Sequence, residues 1–284
     1  MKRIVVTFIL ATIMSSAFAQ TAKDFRKDAK RGDTAAQCNL GDCYYDGKGV
    51  KENRLRAVYW YKKAIKQGHV RAQYRLGYCY YFGNGVRKNY PQAMCLIEKA
   101  AEQGYLSAQL FLVRHYYRKK KRDYVQILYW YQKAAEQGHI GSHYRIGNLY
   151  YHGIGVTQDY AQAAYWYEKA AEQENTSSQY KLGNCYYNGE GVIQDYTQAI
   201  YWYKKAAEKG SLDAQYKLGH CYENGEGVTE NKSHALYYYQ KYYQKIVEKE
   251  KYFKDEIPLL ENKIQELTAE GYEAIEPKDE QSNE

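Results

Sequence analysis

Apolar and small residues recur along this chain in two alternating helical patterns. At Ala36, Leu40, Cys43 and Tyr44 the spacing is i, i+4, i+7, i+8, which is one face of a helix. Gly47-x-Gly49 then breaks the pattern, since glycine takes the left-handed conformation that a helix C-terminus needs, and Val50 is placed to pack at the turn. A second helical run follows, with Ala57, Trp60, Tyr61 and Ala64 at helical spacing and Gly68 closing it. The two runs predict an α-hairpin that cannot bury its apolar face alone.

The same phrase recurs. Ala36-Gln37-Cys38-Asn39-Leu40-Gly41 aligns with Ala72-Gln73-Tyr74-Arg75-Leu76-Gly77, and again with segments starting at 108, 142, 178 and 214. The intervals are 36, 36, 34, 36 and 36 residues. A repeat of this length predicts supersecondary units that bury a continuous core by stacking. The expected fold is all-α, a right-handed α-α superhelix of six helix-turn-helix repeats with terminal capping helices.

The flanks define the remaining organisation. Phe25-Arg26-Lys27-Asp28-Ala29 matches Tyr61-Lys62-Lys63-Ala64-Ile65, so 20–35 is expected to hold an unpaired second helix capping the array. The repeats occupy 36–245. In the last one Tyr238 replaces the tryptophan, Tyr242-Tyr243 replace the alanine pair, and the helix runs on toward Lys249. A C-terminal cap is placed at 246–271, its last helix opened by Pro258, because proline suits a first turn. Residues 272–284 read as an acidic, disordered tail. The third repeat has Val113 for the usual glycine, His115 for cysteine and Arg118-Lys119-Lys120-Lys121-Arg122 for Gly-x-Gly-Val, with two residues missing. A distorted turn and a local change of curvature are expected there.

Composition adds the compartment. Lys2 and Arg3, the apolar stretch Ile4–Met14 and the small residues ending in Ala17-Phe18-Ala19 form the pattern of a secretory signal peptide, 1–19. Its apolar core is far shorter than the roughly 20 residues that span a bilayer. With a mean hydropathy of −0.80 the rest is too polar for an integral membrane protein. The mature chain is therefore expected in the periplasm or secreted. Removing Lys2 and Arg3 lowers the formal charge from +8 to +6. Exported proteins rarely meet nucleic acid, so the basic balance points to solvation or to anionic envelope surfaces.

Leu182-Gly183-x-x-Tyr186, Gly189-x-Gly191-Val192, Asp195-Tyr196, Ala199 and Trp202-Tyr203-x-Lys205-Ala206-Ala207 resemble the Sel-1-like repeat, a relative of the tetratricopeptide repeat. The resemblance recurs six times over 36–245. It implies an adaptor or scaffold that binds protein partners in a concave groove, often in the bacterial envelope. Cysteine-rich members of this family, some linked to β-lactam binding or hydrolysis, join the second helix of one repeat to the first helix of the next by a disulfide. Here Ile65, Ala101 and Ala135 occupy the relevant positions, which argues against that carry-over.

The chemistry-bearing residues suggest no enzyme. Cys43, Cys79, Cys185 and Cys221 share one core position in different repeats. Equivalent positions on stacked helices lie about 8–10 Å apart, beyond the roughly 4.4–6.8 Å that a disulfide spans. They are expected to be buried free thiols, with Cys79 and Cys95 the one pair not dismissed. His139-x-x-x-His143 lacks the glutamate of a zinc protease motif, and Gly-x-Gly follows a helix rather than a strand, so it is a turn. No cofactor and no metal is expected.

In related repeats the stripe opposite the buried face of the first helix lines the groove. Its first row is Cys38, Tyr74, Leu110, Tyr144, Tyr180 and Tyr216. The second is Asp42, Tyr78, Arg114, Asn148, Asn184 and His220, and the third Tyr45, Tyr81, Tyr117, Tyr151, Tyr187 and Glu223. The neighbouring Tyr44, Tyr80, Tyr116, Tyr150, Tyr186 and Tyr222 are assigned to the core. Rings edging a row of Asn, Arg and His suit a protein or peptide ligand, or alternatively an envelope glycan stacked on the rings. Much of the tyrosine content, 36 of 284 residues, is thus the repeat phrase multiplied. If the first nineteen residues are an export signal, N-terminal sequencing of protein recovered from the periplasm or medium should begin at Gln20. A mature chain beginning with Met1 rules the signal out.

Overall fold

The structure, a computed structural model, describes residues 22–277; the export signal expected at 1–19 and the end of the acidic tail lie outside them. The described residues are helical hairpins. Helix α1 covers 22–31. The hairpins α2 (Thr34–Asp46) with α3 (Arg54–Ile65) and α4 (Val70–Phe82) with α5 (Tyr90–Glu102) follow, then α6 (Leu106–Arg118) and α7 (Tyr124–Glu136). Three further hairpins are α8 (Ile140–His152) with α9 (Tyr160–Ala171), α10 (Thr176–Asn188) with α11 (Tyr196–Glu208), and α12 (Leu212–Asn224) with α13 (Lys232–Val247). Short α14 (Glu250–Phe253) and α15 (Glu256–Ala269) end the series, with Pro258 in the first turn of α15. None of these helices is long and apolar enough to cross a membrane.

The chain forms two compact units, one ending at Arg122 and the other beginning at Asp123. The division falls inside the third repeat, where the repeat phrase fails. Five of the first helices end on a glycine in the left-handed region, such as Gly189 at φ 72°, whereas α6 ends on Lys119 with φ −59° and ψ 144°.

Each letter of the repeat phrase has a contact that requires it. The first alanine is buried, at 0% exposure for Ala72 and Ala214. The glutamine after it ties neighbouring repeats: the Nε2 of Gln179 donates to the Ala171 carbonyl at the end of the preceding second helix (3.2 Å), as Gln109 does to Ala101 (3.0 Å). The glycine of Leu-Gly makes room for a ring. A Cβ on Gly183 would stand 2.5 Å from Cε1 of Tyr203, and Gly41, Gly147 and Gly219 face Tyr61, Tyr167 and Tyr239 in the same way. The second glycine of the turn is needed twice over. Gly191 has φ 77°, and any Cβ there would run into the Tyr160 backbone at the start of the preceding second helix.

Capping residues set where the helices begin. Asn53, Asn89, Asp123, Asp159, Asp195 and Asn231 each accept a hydrogen bond from the backbone N–H three residues on, at the start of every second helix. At two first helices a histidine takes this role: Nδ1 of His69 accepts from the Ala72 N–H (3.2 Å), and Nδ1 of His139 from the Ser142 N–H (3.1 Å). The fourth repeat closes on Glu174 rather than glycine; it holds φ 65°, and Lys209 Nζ donates to its carbonyl (3.0 Å).

The six cysteines are free thiols; five are buried and Cys95 is exposed, so Cys79 and Cys95 are not joined. Burial pushes the Cys79, Cys185 and Cys221 thiols up to about 12, which keeps them protonated packing groups. At the C-terminal end α15 packs on α13, with Leu260 and Leu267 buried against Leu236, Tyr239 and Ile246. Residues 272–277 then run back along α13. The Ile275 N–H donates to the Ser233 carbonyl (3.2 Å), and Lys232 lies over the Tyr272 ring while pairing with Glu270 (2.9 Å).

Two measurements test these contacts. Gly183→Ala forces a methyl into the Tyr203 ring and should destabilise the second unit by about 1–3 kcal/mol, read as a lower midpoint in thermal or urea unfolding. Burial lowers the pKa of His69 and His139, and each caps only while Nδ1 is unprotonated. A folded pKa below the unfolded value of about 6.5 means the cap's contribution is whole above that pH and is lost as pH falls beneath it. The melting temperature should therefore drop as the pH falls below about 6.5, and His139→Asn should flatten that dependence. An unchanged slope in the variant rejects the assignment.

Candidate partner-binding surface

The first-helix stripe is best followed within each unit, beginning from the buried tyrosine of the second helix. Tyr61, Tyr167 and Tyr203 are fully enclosed, and each hydroxyl reaches one polar acceptor on its hairpin partner. Tyr61 donates to Asp42 (2.7 Å), Tyr167 to Asn148 (2.9 Å) and Tyr203 to Asn184 (2.7 Å). Desolvation raises the pKa of all three phenols, so they remain donors. The second row is therefore anchored from below: Asn148 and Asn184 already accept one hydrogen bond from their own hairpin. In the last repeat His220 stands at this position. There Tyr239 turns instead to Glu223 (2.8 Å), which also pairs with Lys263 of α15.

The third row is anchored from the side. Tyr151 donates to Glu190 (2.8 Å) and Tyr187 to Glu226 (2.8 Å), the residues between the two glycines of the next repeat's turn. In the first unit Asn84 plays this part, donating to the Tyr45 hydroxyl (2.7 Å), while the Tyr81 hydroxyl meets Nδ1 of His115 (3.1 Å). The ring faces are covered as well. Lys181 Nζ sits 5.6 Å from the Tyr151 centroid and Lys217 Nζ 4.8 Å from that of Tyr187. Each third-row tyrosine of the second unit is thus held in a Tyr–Glu–Lys cluster that spans two repeats.

The first row differs between units. In the second unit Tyr144 and Tyr180 are half-buried and Tyr216 is 44% exposed. Each packs on the buried tyrosine of its own hairpin, with centroids 6.2, 6.0 and 5.9 Å apart. In the first unit Cys38 and Tyr74 of this row are internal and Leu110 is half-buried. Cys38 is enclosed and accepts from Arg71 Nε (3.2 Å), and Tyr74 is only 9% exposed. Tyr74 is covered by Phe111, which stands where the second unit has Lys181 and Lys217 and packs on Tyr74, Tyr78 and Tyr81 with centroids 6.1, 6.1 and 5.1 Å away. The expected position of Tyr74 on an open stripe therefore gives way to a place in the core. Arg114 is exposed and Tyr78 and Tyr117 are half-buried in this unit.

The three rows of the second unit end together. Tyr216, His220 and Glu223 line one cavity of about 510 Å³, closed by Glu256, Leu259, Leu260 and Lys263 of α15. Tyr216 also packs on Tyr242 (5.5 Å), whose hydroxyl donates to Glu256 (2.7 Å). His220 approaches Glu226 (3.2 Å). Pattern reading of single repeats missed Lys181, Lys217, Glu190, Glu226 and the α15 residues. The exchange of Lys48 and Asn84 for Glu190 and Glu226 between the paired glycines was the available signal. The core row is partly as expected, since Tyr44, Tyr116 and Tyr222 are buried whereas Tyr80, Tyr150 and Tyr186 are half-buried. Among the described residues no group of His, Cys, Asp and Glu is placed to hold a metal ion.

Comparison with known proteins matches this architecture. The Sel1 repeat model matches residues 34–69, 70–105, 113–139, 141–175, 176–211 and 212–245, with the third match shortened where the phrase breaks. Among solved structures the chain is similar to a protective antigen present in uropathogenic Escherichia coli strains, which displays an SLR fold. That likeness has 35% identity and a TM-score of 0.70 over 90% of this chain and 53% of that one, so this chain spans about half its length. It is also similar to a Sel1 repeat protein from Oxalobacter formigenes, with 30% identity and a TM-score of 0.51 over 79% of this chain and 96% of that one. Among curated proteins there is no significant match. With six repeat matches over most of its length and hairpins in the same register, the chain belongs to the Sel1 repeat family.

Proposed function

We propose that the protein is an exported, non-enzymatic scaffold that captures a peptide segment of a protein partner on the first-helix stripe of its second unit. Sel1 repeat proteins are generally protein–protein interaction scaffolds. The observation that carries the reading is the division of labour among the rows. Tyr151 and Tyr187 are fixed by Glu190 and Glu226 and covered by lysines, and Asn148 and Asn184 are tied to the hairpin, while Tyr144, Tyr180 and Tyr216 keep ring surface toward solvent. Rings already held in place contribute contact area with little further loss of side-chain freedom on binding. Flanking charges of both signs suit a polypeptide's side chains and backbone.

A glycan strand would need open ring faces for its sugars. In the third row those faces already carry Lys181 and Lys217, which favours the peptide. Export rests on the 1–19 pattern, and the non-enzymatic reading on the family, whose members are generally non-enzymatic repeat scaffolds.

Tyr180→Ala with Tyr216→Ala should reduce capture of envelope proteins by the purified mature chain at least tenfold while leaving helicity unchanged. Tyr151→Ala serves as a contrast, because it breaks the inter-repeat cluster and should lower the melting temperature. Undiminished capture by the double variant, or retention of purified envelope glycan in place of protein, rejects the reading.

A further inference from the structure

The cavity between α12, α13 and α15 has a chemistry of its own. Its floor is aromatic, with Tyr216 between Tyr239 (5.9 Å) and Tyr242 (5.5 Å) at steep interplanar angles. Its wall is aliphatic, from Leu260, which is buried, and Leu259, which is 72% exposed. Two carboxylates stand around it. Glu223 is satisfied by Lys263 and the Tyr239 hydroxyl. Glu256, an exposed residue in the first turn of α15, accepts from the Tyr242 hydroxyl (2.7 Å) on Oε2 and forms no ion pair with the described residues. The lining thus joins tyrosine rings, an apolar wall, the Glu223–Lys263 ion pair and one exposed carboxylate, Glu256, outside any ion pair.

We infer that this cavity takes the arginine side chain of a bound peptide, a conclusion that rests on the peptide-binding reading and names the anchor for it. An arginine has an apolar stem and a charged head, which match the leucine wall and the carboxylate at its edge. The guanidinium is planar, so it stacks on a tyrosine face and still presents a donor fork to a carboxylate. Lys263 against Glu223 shows that the same corner already holds one ammonium. The site is specific to the end of the array, because only here do Tyr216, His220 and Glu223 meet a capping helix; Asn148 and Asn184 occupy the His220 position in the two preceding repeats of this unit.

The test uses the mature chain with four capped pentapeptides, acetyl-Ser-Leu-X-Leu-Ser-amide, where X is arginine, citrulline, lysine or glutamate. Citrulline keeps the shape of arginine without its charge. Calorimetry and amide chemical-shift mapping should place the arginine peptide at Tyr216, Leu259, Leu260 and Lys263. It should bind about tenfold more tightly than the citrulline peptide. Glu256→Gln keeps an acceptor for Tyr242 and should remove that preference with no change in melting temperature. Equal binding of arginine and citrulline, tighter binding of glutamate, a preference that survives Glu256→Gln, or no binding by any peptide overturns the inference. Shifts along Tyr144 and Tyr180 with α15 silent overturn it while leaving the peptide-binding stripe standing. Shifts confined to the cavity support it and narrow the peptide-binding surface to the Tyr216 end of the stripe.

Discussion

The contact on which four of the hairpins depend is a tyrosine ring packed directly against a glycine. Tyr61, Tyr167, Tyr203 and Tyr239 press on Gly41, Gly147, Gly183 and Gly219 with no space for a methyl between them. For the first three rings that closeness brings the phenol hydroxyl to the polar residue that follows the glycine on the first helix, so a single ring supplies both burial and a directed hydrogen bond. Where the pair is altered the architecture changes character. Gly77 faces Ile97, which has no hydroxyl, and in the third repeat Val113 stands at the glycine position. It is within that third repeat that the chain divides into two units.

The same residue type is used in three distinct environments. Second-helix tyrosines such as Tyr203 are core, third-row tyrosines such as Tyr187 bridge one repeat to the next turn, and first-row tyrosines of the second unit keep an accessible face. Bridging explains why the residue between the paired glycines matters: Glu190 and Glu226 accept from the preceding repeat, and Asn84 donates to it. A surface that looks like a row of free rings in sequence is therefore mostly a set of inter-repeat ties. The first-row rings that keep an accessible face are Tyr144, Tyr180 and Tyr216 of the second unit.

Membership of the Sel1 repeat family accounts for the scaffold and not for what it holds. The likeness to the Escherichia coli antigen covers about half of that protein, so its properties do not transfer as a whole. What distinguishes this chain is local: Phe111 closes the stripe of the first unit, and α15 closes the end of the second into a cavity. The first arises at a variable position of the repeat phrase and the second from a helix beyond the repeats.

Period and register were legible from the residues alone. Helical spacing, the paired glycines of five repeats and the Asp or Asn before each second helix are local signals, each acting within a few residues, and together they specify the hairpins. The shared position of Cys43, Cys79, Cys185 and Cys221 likewise marked packing thiols. Tyr74 was misplaced because the residue that buries it, Phe111, lies a whole repeat away, and a one-repeat pattern holds no information on what stacks above it. The lysines over Tyr151 and Tyr187 and the meeting of Tyr216, His220 and Glu223 with α15 have the same origin. Sequence determined the helices because hydrogen bonding and capping are local; tertiary structure decided which tyrosines remain open, because exposure depends on side chains that stacking brings from distant repeats.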